Sequence, residues 1–217
     1  MPRKAQTTPT RQTYEGLDQA YAYFNKRLFD GKLPDCLITV RKHGKARGFF
    51  HGEVFESTDG DEIRDEIALN MQYFKDRTPA QTLSTLVHEM VHLEQHHFGT
   101  PSRSGYHNKE WAALMDRVGL TPTDTGEPGG KRTGQRVTHM IVDRGPFDLA
   151  FKARTFVIPY HDRQRDTEAA QKKLKVTYLC PHCDDRTTGK PGLKLHCSND
   201  HRITPMTTRR PPHAVAA

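Results

Sequence analysis

The chain has 217 residues, with 33 Lys+Arg against 26 Asp+Glu and a mean hydropathy of -0.81. Apolar residues and glycine together make up roughly 38%, below the 45–50% of ordinary globular domains, so one real core is expected, diluted by polar segments. No apolar run approaches a bilayer span and the N-terminal MPRKAQTTPTRQT has no apolar signal stretch, which argues against a membrane or secreted protein and for a cytoplasmic one.

Taken in order, residues 1–13 are polar and are expected to be disordered. From Tyr14 a helix is expected, because Leu17, Tyr21, Phe24 and Leu28 recur at steps of four, three and four. Asp30-Gly31 ends it. Cys36–Val40, Gly48–Phe55 and Asp65–Asn70 read as strands of a small antiparallel sheet, with a turn over 57–61. Residues 79–97 carry the clearest helical pattern: Thr78-Pro79 opens it, and Leu83, Leu86, Val87, Met90 and Val91 follow at helical spacing. Asn108 to Val118 is a further helix. Residues 121–136 read as loop, followed by short apolar runs at 137–142 and 147–151.

The strongest helix contains His88-Glu89-Met90-Val91-His92. Two imidazoles four residues apart lie one above the other on a helix and can reach one ion. A catalytic zinc takes three protein ligands and a water, and Glu89, beside the first ligand, is placed to act as general base. The pattern with Gly seven and His ten residues after the first His is excluded, because those positions hold Gln95 and Phe98. The third ligand is then sought on the next helix, where His107 is favoured and Glu110 is the carboxylate alternative. His96 and His97 continue the first helix, but one straight helix cannot wrap three ligands around a tetrahedral ion. Tyr106 or His97 could serve a developing oxyanion.

The charge is unevenly placed. Residues 1–151 hold 20 Lys+Arg and 20 Asp+Glu, whereas 152–217 hold 13 and 6, so the whole net charge of +7 lies in the last third. Such a segment suits an acidic partner, nucleic acid first. Cys180-Pro181-His182-Cys183 is a metal knuckle, and Cys197 follows after a hairpin-like stretch. A second Cys-x-x-Cys would need cysteine at 200, where Asp200 stands. The expected structural set is therefore Cys180, Cys183, Cys197 and His201, with His196, His182 or Asp200 as substitutes. Cys36 reads as a buried small apolar residue.

Several segments in order carry a resemblance. They are Phe24-Asn25-Lys26-Arg27-Leu28-Phe29, Ala46-Arg47-Gly48-Phe49-Phe50, Ile67-Ala68-Leu69-Asn70, Ser84 through His92, and Gly105-Tyr106-His107. The chain resembles the SprT-like family of zinc metallopeptidases. The resemblance implies an α+β, minigluzincin-like fold, with His88, His92 and His107 as ligands of a catalytic Zn2+ and Glu89 as the catalytic residue. It also implies a zinc ribbon behind the peptidase unit, holding a second, structural Zn2+. In zinc peptidases of this kind an edge strand pairs with extended substrate, and Ile67, Ala68, Leu69 and Asn70 are the candidates. The expected organisation is a disordered 1–13, a peptidase domain over 14–155, a polar linker over 156–175, a ribbon over 176–204 and a disordered basic tail over 205–217. The implied activity is an endopeptidase acting on DNA-associated or DNA-crosslinked protein, with DNA held through residues 152–217. The competing expectation is a nucleic-acid-associated regulatory module with weak or silent protease activity. The presence of Glu89 between two ligands favours the enzyme.

Overall fold

A computed structural model describes residues 7–42, 46–161, 176–181, 183, 185–190, 192–197, 204–205 and 207–208. The chain divides into two compact units, Met1–Arg163 and Gln164–Ala217. The first is mixed α+β.

Helix α1 (Pro9–Leu28) begins well before Tyr14, so residues 9–13 are helical where disorder was expected. The reason is local. Thr8 caps the helix by accepting the Arg11 N–H, and Pro9 takes the first turn, where its missing N–H costs nothing. Leu17, Ala20, Tyr21, Phe24 and Leu28 then form the buried stripe.

Strands β1 (Leu37–Val40), β2 (Gly48–Glu56) and β3 (Ile63–Leu69) form one sheet in the order β1-β3-β2. The sheet is mixed and not wholly antiparallel: β1 runs parallel to β3, pairing Leu37 with Glu66 and Val40 with Leu69. β2 runs antiparallel to β3, pairing Gly48 with Leu69 and His51 with Glu66, with a bulge between His51 and Phe55. β3 is therefore the central strand. This corrects the assignment of Ile67, Ala68 and Leu69 as a substrate-pairing edge, because both sides of that backbone are already occupied by neighbouring strands. Asn70 is equally engaged: its N–H donates to the Arg47 carbonyl and its side-chain amide to the Ala46 carbonyl. The two edge strands of the sheet are β1 and β2.

A single 3-10 turn, Met71–Tyr73, leads to helix α2 (Pro79–Phe98). Thr78 and Gln81 form a reciprocal capping box at its start. α2 is buried nearly all round, with Leu86, Val87, Met90, Val91 and Leu93 at 0% exposure, as befits a helix at the centre of the unit. Helix α3 (Lys109–Arg117) is capped by Asn108 and buries Trp111, Ala112 and Met115. The segment expected to be loop is in part a hairpin: β4 (Leu120–Thr123) pairs antiparallel with β5 (Thr138–Ile141). Helix α4 (Pro146–Lys152) closes the unit, stacking Phe147 on Phe24 at 5.5 Å. Glu94 of α2, buried at 3% side-chain exposure, receives Lys32 on one oxygen at 2.7 Å and Arg117 on the other.

Residues 156–161, the start of the expected linker, belong to this first unit, and 162–175 lie outside the described residues. Phe156 is buried against Phe24 and Tyr23, and the Val157 carbonyl oxygen lies 2.7 Å from where a Cβ on Gly16 would stand. Gly16→Ala is therefore expected to destabilise the protein. Alanine gains about 1 kcal/mol of helix propensity, but crowding against fixed backbone costs about 1–3 kcal/mol. The thermal midpoint of the full chain should fall by several degrees. A midpoint at or above that of the parent would show that 156–161 does not bear on α1.

In the second unit, β6 (Val176–Leu179) pairs with β7 (Arg186–Gly189) and with β10 (Thr207–Thr208). β8 (His196–Cys197) pairs with β9 (Thr204–Pro205). Strands thus reach past residue 204, into the segment expected to be a disordered tail. Tyr178, buried at 2%, donates to the Lys190 carbonyl and accepts from the Leu193 N–H, tying the hairpin together.

Candidate metal centre

α2 places His88 and His92 on one face, and the chain returns so that His107 meets them just before α3. The His88, His92 and His107 ring centroids lie 4.9–5.4 Å apart. One ring nitrogen from each lies within 4.8 Å of the others. Trp111, fully buried one turn into α3, packs against all three rings.

His107 is held by backbone. It exchanges two main-chain hydrogen bonds with Gly134, at 2.8 and 3.0 Å. Its Nδ1–H also donates to the Gly134 carbonyl at 3.0 Å. Gly134 sits at φ +136, where an L side chain is strained. With Nδ1 engaged, Nε2 of His107 is the nitrogen left for a metal. The same holds at His88, whose Nδ1 lies 3.1 Å from Nδ1 of His139 on β5.

Burial keeps these imidazoles neutral. His88 is held well below the usual histidine range, first by desolvation and then by neighbouring His92, His139, His107 and Arg77. His92 is pushed down to about 3, by burial and then by His107. His107 is lowered by burial, against which the Gly134 carbonyl acts. Neutral imidazoles that each offer one ring-nitrogen lone pair are what a divalent zinc site requires, so the donor set fits that ion.

Glu89 is 5% exposed, and burial pushes its carboxyl up to about 8. It lies against the start of β2. A Cβ on Gly48 would stand 2.9 Å from Thr85 Cγ2, 3.0 Å from Glu89 Oε1 and 3.1 Å from the Ala68 carbonyl oxygen. The glycine thus makes room for the carboxylate at the sheet margin.

The other sequence candidates are elsewhere. Glu110 accepts from the Gln95 amide at 2.7 Å and the Thr100 N–H at 2.8 Å, so it ties the 99–110 turn to α2. His97 pairs with the buried Asp65 at 2.7 Å, and His96 lies against Phe50 and Gly52. Tyr106 is half-buried under the Arg103 guanidinium, 5.4 Å from its ring centroid. His139 and Trp111, which the spacing rules did not single out, belong to the site. No periodic pattern links position 139 to 88; only the β4–β5 pairing brings them together.

In the second unit, Cys180, Cys183 and Cys197 each present a sulfur within 4.8 Å of the others. Cys183 and Cys197 sulfurs are 3.5 Å apart, and no disulfide joins the described cysteines. Two thiolates on one zinc at about 2.3 Å each would stand about 3.8 Å apart, so the group suits a metal better than a bridge. His201, His182 and Asp200 lie outside the described residues, while His196 is exposed on β8. Cys36 is half-buried, and burial raises its thiol to about 12. Among the described residues, no helix is long and apolar enough to cross a membrane.

The SprT-like family model matches residues 17–133. A Salmonella typhimurium protein, described as an uncharacterized protein in the mucB 3′ region, is 37% identical over 65 residues, which are 30% of this chain and 88% of that protein.

Proposed function

The chain belongs to the SprT-like family, and on that premise we propose that its first unit is a minigluzincin-like zinc endopeptidase and its second a zinc ribbon that carries it to DNA-associated or DNA-crosslinked protein. The observation that carries the reading is the meeting of three neutral histidines from two segments, with a buried carboxyl next to one of them.

His88, His92 and His107 would hold the catalytic Zn2+, which supplies Lewis acidity to the scissile carbonyl and to a water molecule. With a cation held beside it favouring its ionised form, Glu89 would accept the water proton on a carboxylate oxygen and return it to the departing amine nitrogen. An extended substrate lies along β2, whose Gly48 touches Glu89, so peptide backbone and general base share one margin of the sheet. Cys180, Cys183 and Cys197, with His201 as the fourth ligand, would hold the structural Zn2+.

DNA is assigned to the basic last third. Residues 164–217 alone hold 10 Lys+Arg against 5 Asp+Glu, five of the seven net charges. Binding there is electrostatic, so affinity should fall with salt at a log–log slope of about -0.9 per phosphate contacted. The test compares the full chain with a chain ending at Arg163, which keeps the whole first core. Both should cleave an unstructured peptide, and chelation should stop both. Only the full chain should bind duplex tightly at low salt and cleave a DNA-bound protein faster than a free one. Equal DNA affinity for the two would move the nucleic-acid surface onto the first unit. Absence of zinc-dependent cleavage in either would favour the regulatory reading.

A further inference from the structure

We infer that His139 is a positioning residue that sets the tautomer of His88 and so prepares it to take a metal; the inference rests on the proposed zinc site. The evidence is a run of three hydrogen bonds. His88 Nδ1 lies 3.1 Å from His139 Nδ1, His139 Nε2 lies 2.8 Å from Ser84 Oγ, and Ser84 Oγ donates to the Gln81 carbonyl at 3.0 Å.

The direction of the run follows from its last member. A carbonyl only accepts, so the single Ser84 hydroxyl proton goes to Gln81. Ser84 Oγ must then accept from His139, which puts the His139 proton on Nε2. A neutral ring protonated there has a lone pair on Nδ1, and that lone pair accepts from His88 Nδ1–H. His88 is left with a bare Nε2, the nitrogen on the far side of the ring from His139. The opposite run would place a proton on His88 Nε2 and close it to a cation. The charged groups near the two rings are the Arg77 and Arg47 guanidiniums. Arg77 is itself fixed on Thr85, and Arg47 on Thr138, the neighbour of His139. Ser84 and His88 are one helical turn apart on α2, while His139 comes from β5. The strand thus inserts one acceptor and one donor between two groups of the same helix.

Partners of this kind, removed, typically change metal affinity by about 10–100-fold. The test is a Co2+ titration of the full chain, in which the histidine site is read from ligand-field absorption and the cysteine site from thiolate charge transfer. Circular dichroism of the metal-free proteins checks the fold. His139→Phe keeps the ring volume and removes the acceptor, and is expected to weaken the histidine site by 10–100-fold with the cysteine site unchanged. His139→Gln retains an amide oxygen that can accept from His88 Nδ1–H, and should stay within about threefold of the parent. Ser84→Ala, the least disruptive change, should weaken the site several-fold by freeing the His139 tautomer. Parent-like affinity in both His139→Phe and Ser84→Ala would overturn the inference, as would His139→Gln falling as far as His139→Phe. A parent that binds no metal at the histidines would instead overturn the zinc site itself.

Discussion

Glu89→Gln is expected to lower peptide hydrolysis by about 10²- to 10⁴-fold, the range of a lost general base, with metal content per chain unchanged. The amide fills the space against Gly48 that the carboxylate fills, so α2 keeps its packing. It carries no charge, and the site already disfavours one: burial holds the carboxyl near 8. A neutral replacement therefore introduces no new desolvation penalty, and the metal-free variant should melt with the parent at pH 7. What it cannot do is take a proton from water. Cleavage rate and metal content by mass spectrometry, measured on one preparation, separate chemistry from binding. A variant that cleaves within a few-fold of the parent would remove Glu89 from the mechanism.

His107→Ala should cost one metal equivalent after dialysis against a weak chelator. Its loss of affinity should exceed the 10–100-fold assigned to supporting residues, since a direct ligand is gone. The main-chain bonds between 107 and 134 do not use the side chain, so the turn before α3 should survive. Glu110→Gln is the matched control. That carboxylate accepts from Gln95 on α2 and from the Thr100 N–H on the turn, and the amide oxygen can still accept from them. It should keep its metal. Loss of metal in Glu110→Gln, with retention in His107→Ala, would exchange the two assignments.

The parts legible in the sequence were those governed by near neighbours. Thr78-Pro79 and the apolar spacing of Leu83 through Val91 specify α2, and the four-residue step brings His88 and His92 to one face. Asn108 as a cap places α3, and with it His107. Parts governed by distant pairing were not legible. Nothing in residues 63–69 states that β1 joins them in parallel while β2 joins from the other side, so the central strand reads like an edge. His139 reaches His88 across 51 positions through a hairpin whose residues look like loop and short apolar run. The early start of α1 lay in two residues, Thr8 and Pro9, inside a stretch whose composition argued for disorder.

Glu94, held by Lys32 on one carboxylate oxygen and by Arg117 on the other, has a mechanical consequence for α2. Both proposed ligand histidines, His88 and His92, ride on that one cylinder. A ligand nitrogen stands roughly 6 Å from the helix axis, so a turn of about 2° moves it by about 0.2 Å, the whole tolerance of a metal bond. Two tethers on one carboxylate, from segments before and after α2 in the chain, act as a key in a shaft. They resist rotation of the helix, and they bear on it only half a turn beyond His92. The angular accuracy of the site is thus held by an acidic residue that never approaches the ion.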